Sequence, residues 1–154
     1  EDGALDELSG LVVSRLNPGV LWAIEDSGGA ADVYALSADG RTLATLTLEG
    51  VSNVDWEDLA LAPCTVGWCL YVGDIGTLGT SRSSFVVHVV PEPLLDGRSA
   101  YRAAPTSLPF TYPEGPQDAE ALVFWTKVAN IALMPLLVAL LGLLVALFRR
   151  RRTA

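Results

Sequence analysis

The sequence is short of the side chains from which most catalytic and metal centres are built. In 154 residues it has one histidine, His88, and two cysteines, Cys64 and Cys69. That set is too small for a structural zinc centre, which draws four nitrogen or sulfur ligands. No Gly-x-Ser-x-Gly elbow marks a serine hydrolase. His88 sits in the middle of the apolar run Phe85–Val90, so it reads as a structural strand residue, and no catalytic residue is expected. Basic side chains are also scarce. Residues 1–126 hold five arginines (Arg15, Arg41, Arg82, Arg98, Arg102) against all 18 acids, a net −13. Nucleic-acid binding needs clustered lysine and arginine, so that class is excluded. The acidic excess suits cation binding or solubility beside a membrane. The chain opens at Glu1 rather than methionine, as expected of a processed or truncated protein.

Between Val128 and Phe148 there is no charge at all. A helix of this length, at about 1.5 Å per residue, matches a hydrocarbon core roughly 30 Å thick. It is apolar all round, whereas a long soluble helix keeps a polar face. The expected span is 123–148. Phe124 and Trp125 precede the run, where aromatic rings favour the headgroup level. Arg149, Arg150, Arg151 and Arg152 close it, and a positive flank stays in the cytoplasm. This predicts a single-pass protein of a bacterial inner membrane, with residues 1–122 extracytoplasmic and 149–154 a cytoplasmic tail. Pro135 inside the span predicts a kink.

Residues 9–113 break into short apolar runs divided by turn residues. Leu11–Ser14, Val20–Ile24, Val33–Leu36 and Thr42–Leu48 are separated by Asn17-Pro18-Gly19, Ser27-Gly28-Gly29 and Asp39-Gly40. Runs of this length and spacing predict strands joined by tight turns. A second set follows: Leu59–Ala62, Cys69–Val72, Phe85–Val90 and Tyr101–Phe110. The expected fold is mainly β: two antiparallel four-stranded units, 9–50 and 56–113, followed by the transmembrane helix. The pattern predicts a third unit opening at Ala119–Phe124, since Asp118-Ala119-Glu120-Ala121-Leu122 parallels Trp56-Glu57-Asp58-Leu59-Ala60. Four-strand units repeating in this way suggest propeller blades.

Five segments carry a resemblance. They are Gly19-Val20-Leu21-Trp22-Ala23-Ile24-Glu25-Asp26-Ser27-Gly28-Gly29, Val33-Tyr34-Ala35-Leu36 with Asp39-Gly40, Asp55-Trp56-Glu57-Asp58-Leu59-Ala60, Leu70-Tyr71-Val72-Gly73-Asp74-Ile75-Gly76, and Asp118-Ala119-Glu120-Ala121-Leu122. In this order, over roughly residues 8–123, they resemble the first two blades of a bacterial secreted β-propeller family labelled esterase-like, phytase-like or quorum-regulator-regulated. The resemblance implies acidic motif residues near a propeller axis and a divalent cation, usually calcium. Here the motif acids are Glu25, Asp26, Asp55, Glu57, Asp58, Asp74, Asp118 and Glu120, of which Glu57, Asp58, Asp74 and Glu120 are the candidate ligands. Two departures stand out. A propeller needs about four to eight blades, and this chain offers two and the first strand of a third. Gly73-Asp74-Ile75-Gly76-Thr77-Leu78 lacks the Asp-Asn that ends the family's motif. The tail from Lys127 to Arg152 is similar to the last helix of auxiliary proteins in gliding-motility-type ABC transport systems.

Cys64 and Cys69 stand at the two ends of a short turn, where a disulfide in an oxidising compartment and a pair of buried free thiols are the alternatives. Two small sheets leave open edges, which proteins normally cover. The expected function is a non-enzymatic accessory subunit whose extracytoplasmic β domain packs on a larger membrane complex, such as a transporter or a photosynthetic or respiratory assembly. Its partners are then the lipid bilayer and other membrane-protein subunits, with no cofactor beyond Ca²⁺. The alternative is a fragment or protomer of a calcium-binding propeller hydrolase or binding protein.

Overall fold

The computed structural model describes residues 7–77 and 82–113. The expected span 123–148 with Phe124 and Trp125, the tail with Arg149 to Arg152, and the candidate ligand Glu120 all lie outside the described residues. No helix among the described residues is long and apolar enough to cross a membrane.

The described chain is mainly β. Nine strands are β1 Leu8–Val13, β2 Val20–Glu25, β3 Asp32–Ser37, β4 Thr42–Leu48, β5 Trp56–Cys64, β6 Gly67–Asp74, β7 Phe85–Pro91, β8 Ala100–Ala103 and β9 Thr106–Phe110. They form two sheets, one in the order β1-β2-β3-β4-β8 and one in the order β5-β6-β7-β9. All neighbours are antiparallel except β4 and β8, which are parallel. The turns are made where the turn residues stand. Val20 N–H donates to the Asn17 carbonyl at 3.2 Å to close the Asn17-Pro18-Gly19 turn, and Gly40 N–H donates to Ser37 at 2.9 Å.

The expectation of two four-stranded units is corrected at one place. Tyr101–Phe110 is not one strand. It divides at Ala104-Pro105 into β8, which leaves the second group to pair with β4, and β9, which returns to β7. The first sheet therefore has five strands, and its last strand comes from within 56–113. Proline has no N–H to give a ladder and confines the residue before it, so a break at Pro105 is natural. Alternation then sends Tyr101 and Ala103 into the core and Arg102 outward, 3.8 Å from Glu49. The excursion laces the sheets together, because the chain cannot leave the second sheet for good before it has closed the edge of the first.

One apolar cluster joins the sheets. Trp22, Ile24, Val33, Leu46 and Leu48 come from the first sheet and Trp56, Leu59, Leu70, Val72 and Val90 from the second. Trp22 and Trp56 are fully buried; each such side chain contributes about 1.5–3 kcal/mol or more of burial free energy. The edge strands β1 and β5 meet closely. Ser9 Oγ donates to the Trp56 carbonyl at 2.6 Å, and a Cβ on Gly10 would stand only 2.7 Å from Leu59 N. Glycine is required there by the approach of the neighbouring backbone.

Candidate metal centre

Among the described residues, the motif acids Glu25, Asp26, Asp55, Glu57 and Asp74 stand at or beside the ends of β2, β5 and β6. β2 ends at Glu25 and Asp26 follows it; β5 begins at Trp56, directly after Asp55. These two strand ends belong to different sheets and are tied by buried Asn53. Its Nδ2 donates to the carbonyls of Glu25 and Asp26, and its Oδ1 accepts the Trp56 N–H at 3.3 Å. A bulge between Trp56 and Asp58 shifts the β5–β6 register. A bulge re-aims a side chain, and Glu57 is the residue inside it. The result is a triad, Asp26, Asp55 and Glu57, whose carboxylate oxygens lie within 4.8 Å of one another.

Asp55 is buried and held by its backbone. Its N–H donates to Asp74 Oδ1 at 3.1 Å, and its carbonyl accepts from Ile75 and Gly76 N–H, both at 3.1 Å. Gly76 lies against the triad: a Cβ there would collide with the Asp55 carboxylate and with Glu57 Oε1. The glycine of the Gly-Asp-Ile-Gly segment thus makes room for two acids.

The candidate ligands separate in the structure. Glu57 joins the triad. Asp58 is exposed and turns to its own strand, with Oδ1 accepting the Leu59 N–H at 2.9 Å. Asp74 is buried beside Asp55 but is matched by Arg82, whose Nη1 lies 2.6 Å from Asp74 Oδ1 and whose Nη2 donates to the Asp74 carbonyl at 2.9 Å. A carboxylate so paired has its charge already balanced. Asp26 and Asp55, the other two members of the triad, were legible as motif acids; their nearness to Glu57 was not, because it depends on how the two sheets meet.

Three carboxylates are donors suited to a hard cation such as Ca²⁺, which takes six to eight oxygens. The site offers no acid–base pair with a histidine. His88 is buried in the core, its ring 6.3 Å from that of Trp56 and its Nδ1 2.9 Å from Ser107 Oγ. Burial holds its pKa below the ordinary value, against the opposing pull of Asp74. It stands within β7, where the apolar run places it.

The cysteines are bridged. Cys64 and Cys69 form a disulfide across the β5–β6 hairpin with Cα atoms 5.8 Å apart. They are diagonal rather than opposite, since Cys64 pairs in register with Gly67 and Cys69 with Ala62. No family model, curated protein or solved structure matches this chain.

Proposed function

We propose that this chain is a non-enzymatic, single-pass accessory subunit whose extracytoplasmic β domain packs on a larger bacterial membrane complex. One observation carries the reading: the two-sheet stack keeps apolar side chains on its outer surfaces. Leu11 and Val13 of the first sheet are 55% and 66% exposed, and Leu108 of the second is 49% exposed. Leaving a few hundred Å² of such surface wet, at about 25 cal/mol per Å², forgoes several kcal/mol. That is a large part of the roughly 5–15 kcal/mol that holds a small domain together. The Cys64–Cys69 bridge supports an extracytoplasmic location, because disulfides persist in oxidising compartments. The apolar run 128–148 with its arginine flank supports the anchor and its orientation.

Gentle detergent extraction from the native membrane tests the reading. The chain should leave the membrane in stoichiometric company with other integral subunits, and a protease added to spheroplasts should remove the β domain while sparing a C-terminal tag. A chain that runs alone on sedimentation, or whose β domain is protected, overturns it.

A second reading, a calcium-binding protein related to the propeller family, is favoured by the Asp26–Asp55–Glu57 triad. Millimolar Ca²⁺ should then raise the melting temperature, by linkage of binding to folding, and the Asp26→Asn, Glu57→Gln variant should not respond. A melting curve indifferent to Ca²⁺ in the unaltered chain removes this reading.

A further inference from the structure

The outer face of the five-stranded sheet is graded from apolar to acidic along its strands. Strand register sets the gradation, since side chains two apart share a face and cross-strand partners stand in rows. Val13 pairs with Leu21, and Leu21 with Leu36; Leu11 pairs with Ala23, and Ala23 with Tyr34; Leu8 pairs with Glu25. These residues alternate with Trp22, Ile24, Val33 and Ala35, which point into the core. The first two rows are thus apolar or aromatic, exposed at Leu11 and Val13 and buried at Ala23 and Leu36, and the third is where the acids begin, with Glu25 on β2 and Asp32 at the start of β3.

The acidic end is unbalanced within the domain. Among the described residues, four arginine–carboxylate pairs occur, at Asp39, Asp74, Asp96 and Glu49, and neither Glu25 nor Asp32 takes part in any. Glu25 accepts the Tyr34 hydroxyl at 3.0 Å. Asp32 has one carboxylate oxygen shielded from water with no hydrogen-bond partner. The face is also unguarded on its apolar side: Leu11 and Val13 are 55% and 66% exposed. The far edges of the molecule are guarded, β8 by its four-residue length and β9 by Pro109, both common devices against strand addition.

We propose that this face docks a different protein, one that lays an apolar strip over Leu11 and Val13 and sets lysine or arginine side chains against Glu25 and Asp32. The inference rests on the accessory-subunit reading and names the surface and the partner's chemistry. A second copy of the chain is the poorer occupant, because it would bring the same acidic excess to a face that already lacks cations.

Photo-crosslinking residues placed one at a time in the full chain, in its native membrane, test this at positions 11 and 13 of the face, at position 108 on the other sheet, and at position 66 on the β5–β6 hairpin tip. Positions 11 and 13 should crosslink one heterologous protein, through a segment with apolar residues beside lysine or arginine, and positions 66 and 108 should not. Glu25→Gln with Asp32→Asn, which preserves side-chain size, should lower the yield about fivefold at low salt, and 0.5 M NaCl should do the same to the unaltered chain. The unchanged melting of that double variant confirms that folding is not the cause; if it melts lower, the salt dependence decides alone. Crosslinks between two copies of this chain, equal yields at all positions, or a yield indifferent to charge and salt overturn the inference. Crosslinks to a heterologous subunit from position 108 alone also overturn it while leaving the accessory reading intact. Absence of any heterologous crosslink at any position removes both.

Discussion

Glu92 accepts the indole Nε1–H of Trp22 at 2.9 Å, across the join between the two sheets. Trp22 is fully buried in the middle of β2, and Glu92 directly follows β7. The same carboxylate accepts from Ser14 Oγ and from the main-chain N–H groups of Arg15 and Leu16. Ser14 Oγ in turn accepts from Asn17 N–H at 2.8 Å, and Asn17 Nδ2 donates to the Pro93 carbonyl at 2.9 Å. A buried acid is tolerated here because its oxygens are met by donors, and those donors belong to β2 and the β1–β2 turn of the other sheet.

Removing this carboxylate should therefore loosen the join. Glu92→Ala leaves the Trp22 indole and the turn N–H groups facing an apolar stub, at a cost of about 3 kcal/mol. Urea unfolding of the full chain in mild detergent, followed by tryptophan fluorescence, should show the loss. Glu92→Gln, which still accepts at one oxygen, should cost less. Equal stability of Glu92→Ala and the unaltered chain would mean that the sheets are joined by the apolar cluster alone.

The disulfide should be complete and of modest worth. Alkylation of the denatured, unreduced chain should label neither cysteine. Because the bridge closes a loop with a sequence separation of 5, the chain-entropy estimate for Cys64→Ser with Cys69→Ser is about 2 kcal/mol. Full labelling without reductant would refute the bridge.

Acid should weaken the fold through His88. Its pKa is held below the ordinary 6.5 by burial, with Asp74 opposing. Just below pH 6.5 the unfolded chain binds a proton that the folded chain does not. Stability supplied by the neutral, buried ring is thus present above that pH and lost as pH falls toward the folded value. Denaturation midpoints between pH 7.5 and 5.5 should fall with acid, and less steeply in His88→Asn. Identical slopes in the two proteins would place the acid sensitivity elsewhere.

Gly10→Ala should act at the meeting of β1 and β5. The added methyl faces Leu59 N at 2.7 Å and Leu59 Cβ at 2.9 Å, so backbone must move. Overpacking of this kind costs about 1–3 kcal/mol. A melting temperature within error of the unaltered chain would show that the strands can part freely.

How much of this was legible can be judged strand by strand. The runs Val20–Ile24, Val33–Leu36 and Thr42–Leu48 lie within β2, β3 and β4, because alternation and glycine-bearing turns act over a few residues. Phe85–Val90 is β7 almost to the residue. Tyr101–Phe110 misled: it reads as one strand-length run, and Pro105 is the hint that the chain changes sheets there. The acids were legible as a motif set, but Asp74 and Asp58 could not be told from Asp26 and Asp55.

What the sequence alone determined is therefore local: a β-rich chain with its turns in place, a cysteine pair close enough to bridge, a strongly acidic first part and a long uncharged apolar run near the end. The strands, turns and cysteine spacing follow from windows shorter than about twenty residues, and the acidic part and the uncharged run from the composition of longer stretches. What only the tertiary structure decided is the company each residue keeps. Which sheet takes β8, which acids share a site and which is matched by Arg82, and which donors meet Glu92 all depend on groups far apart in the chain. Strand partners are chosen by burial and by free edges across the whole domain, and no local pattern encodes that choice.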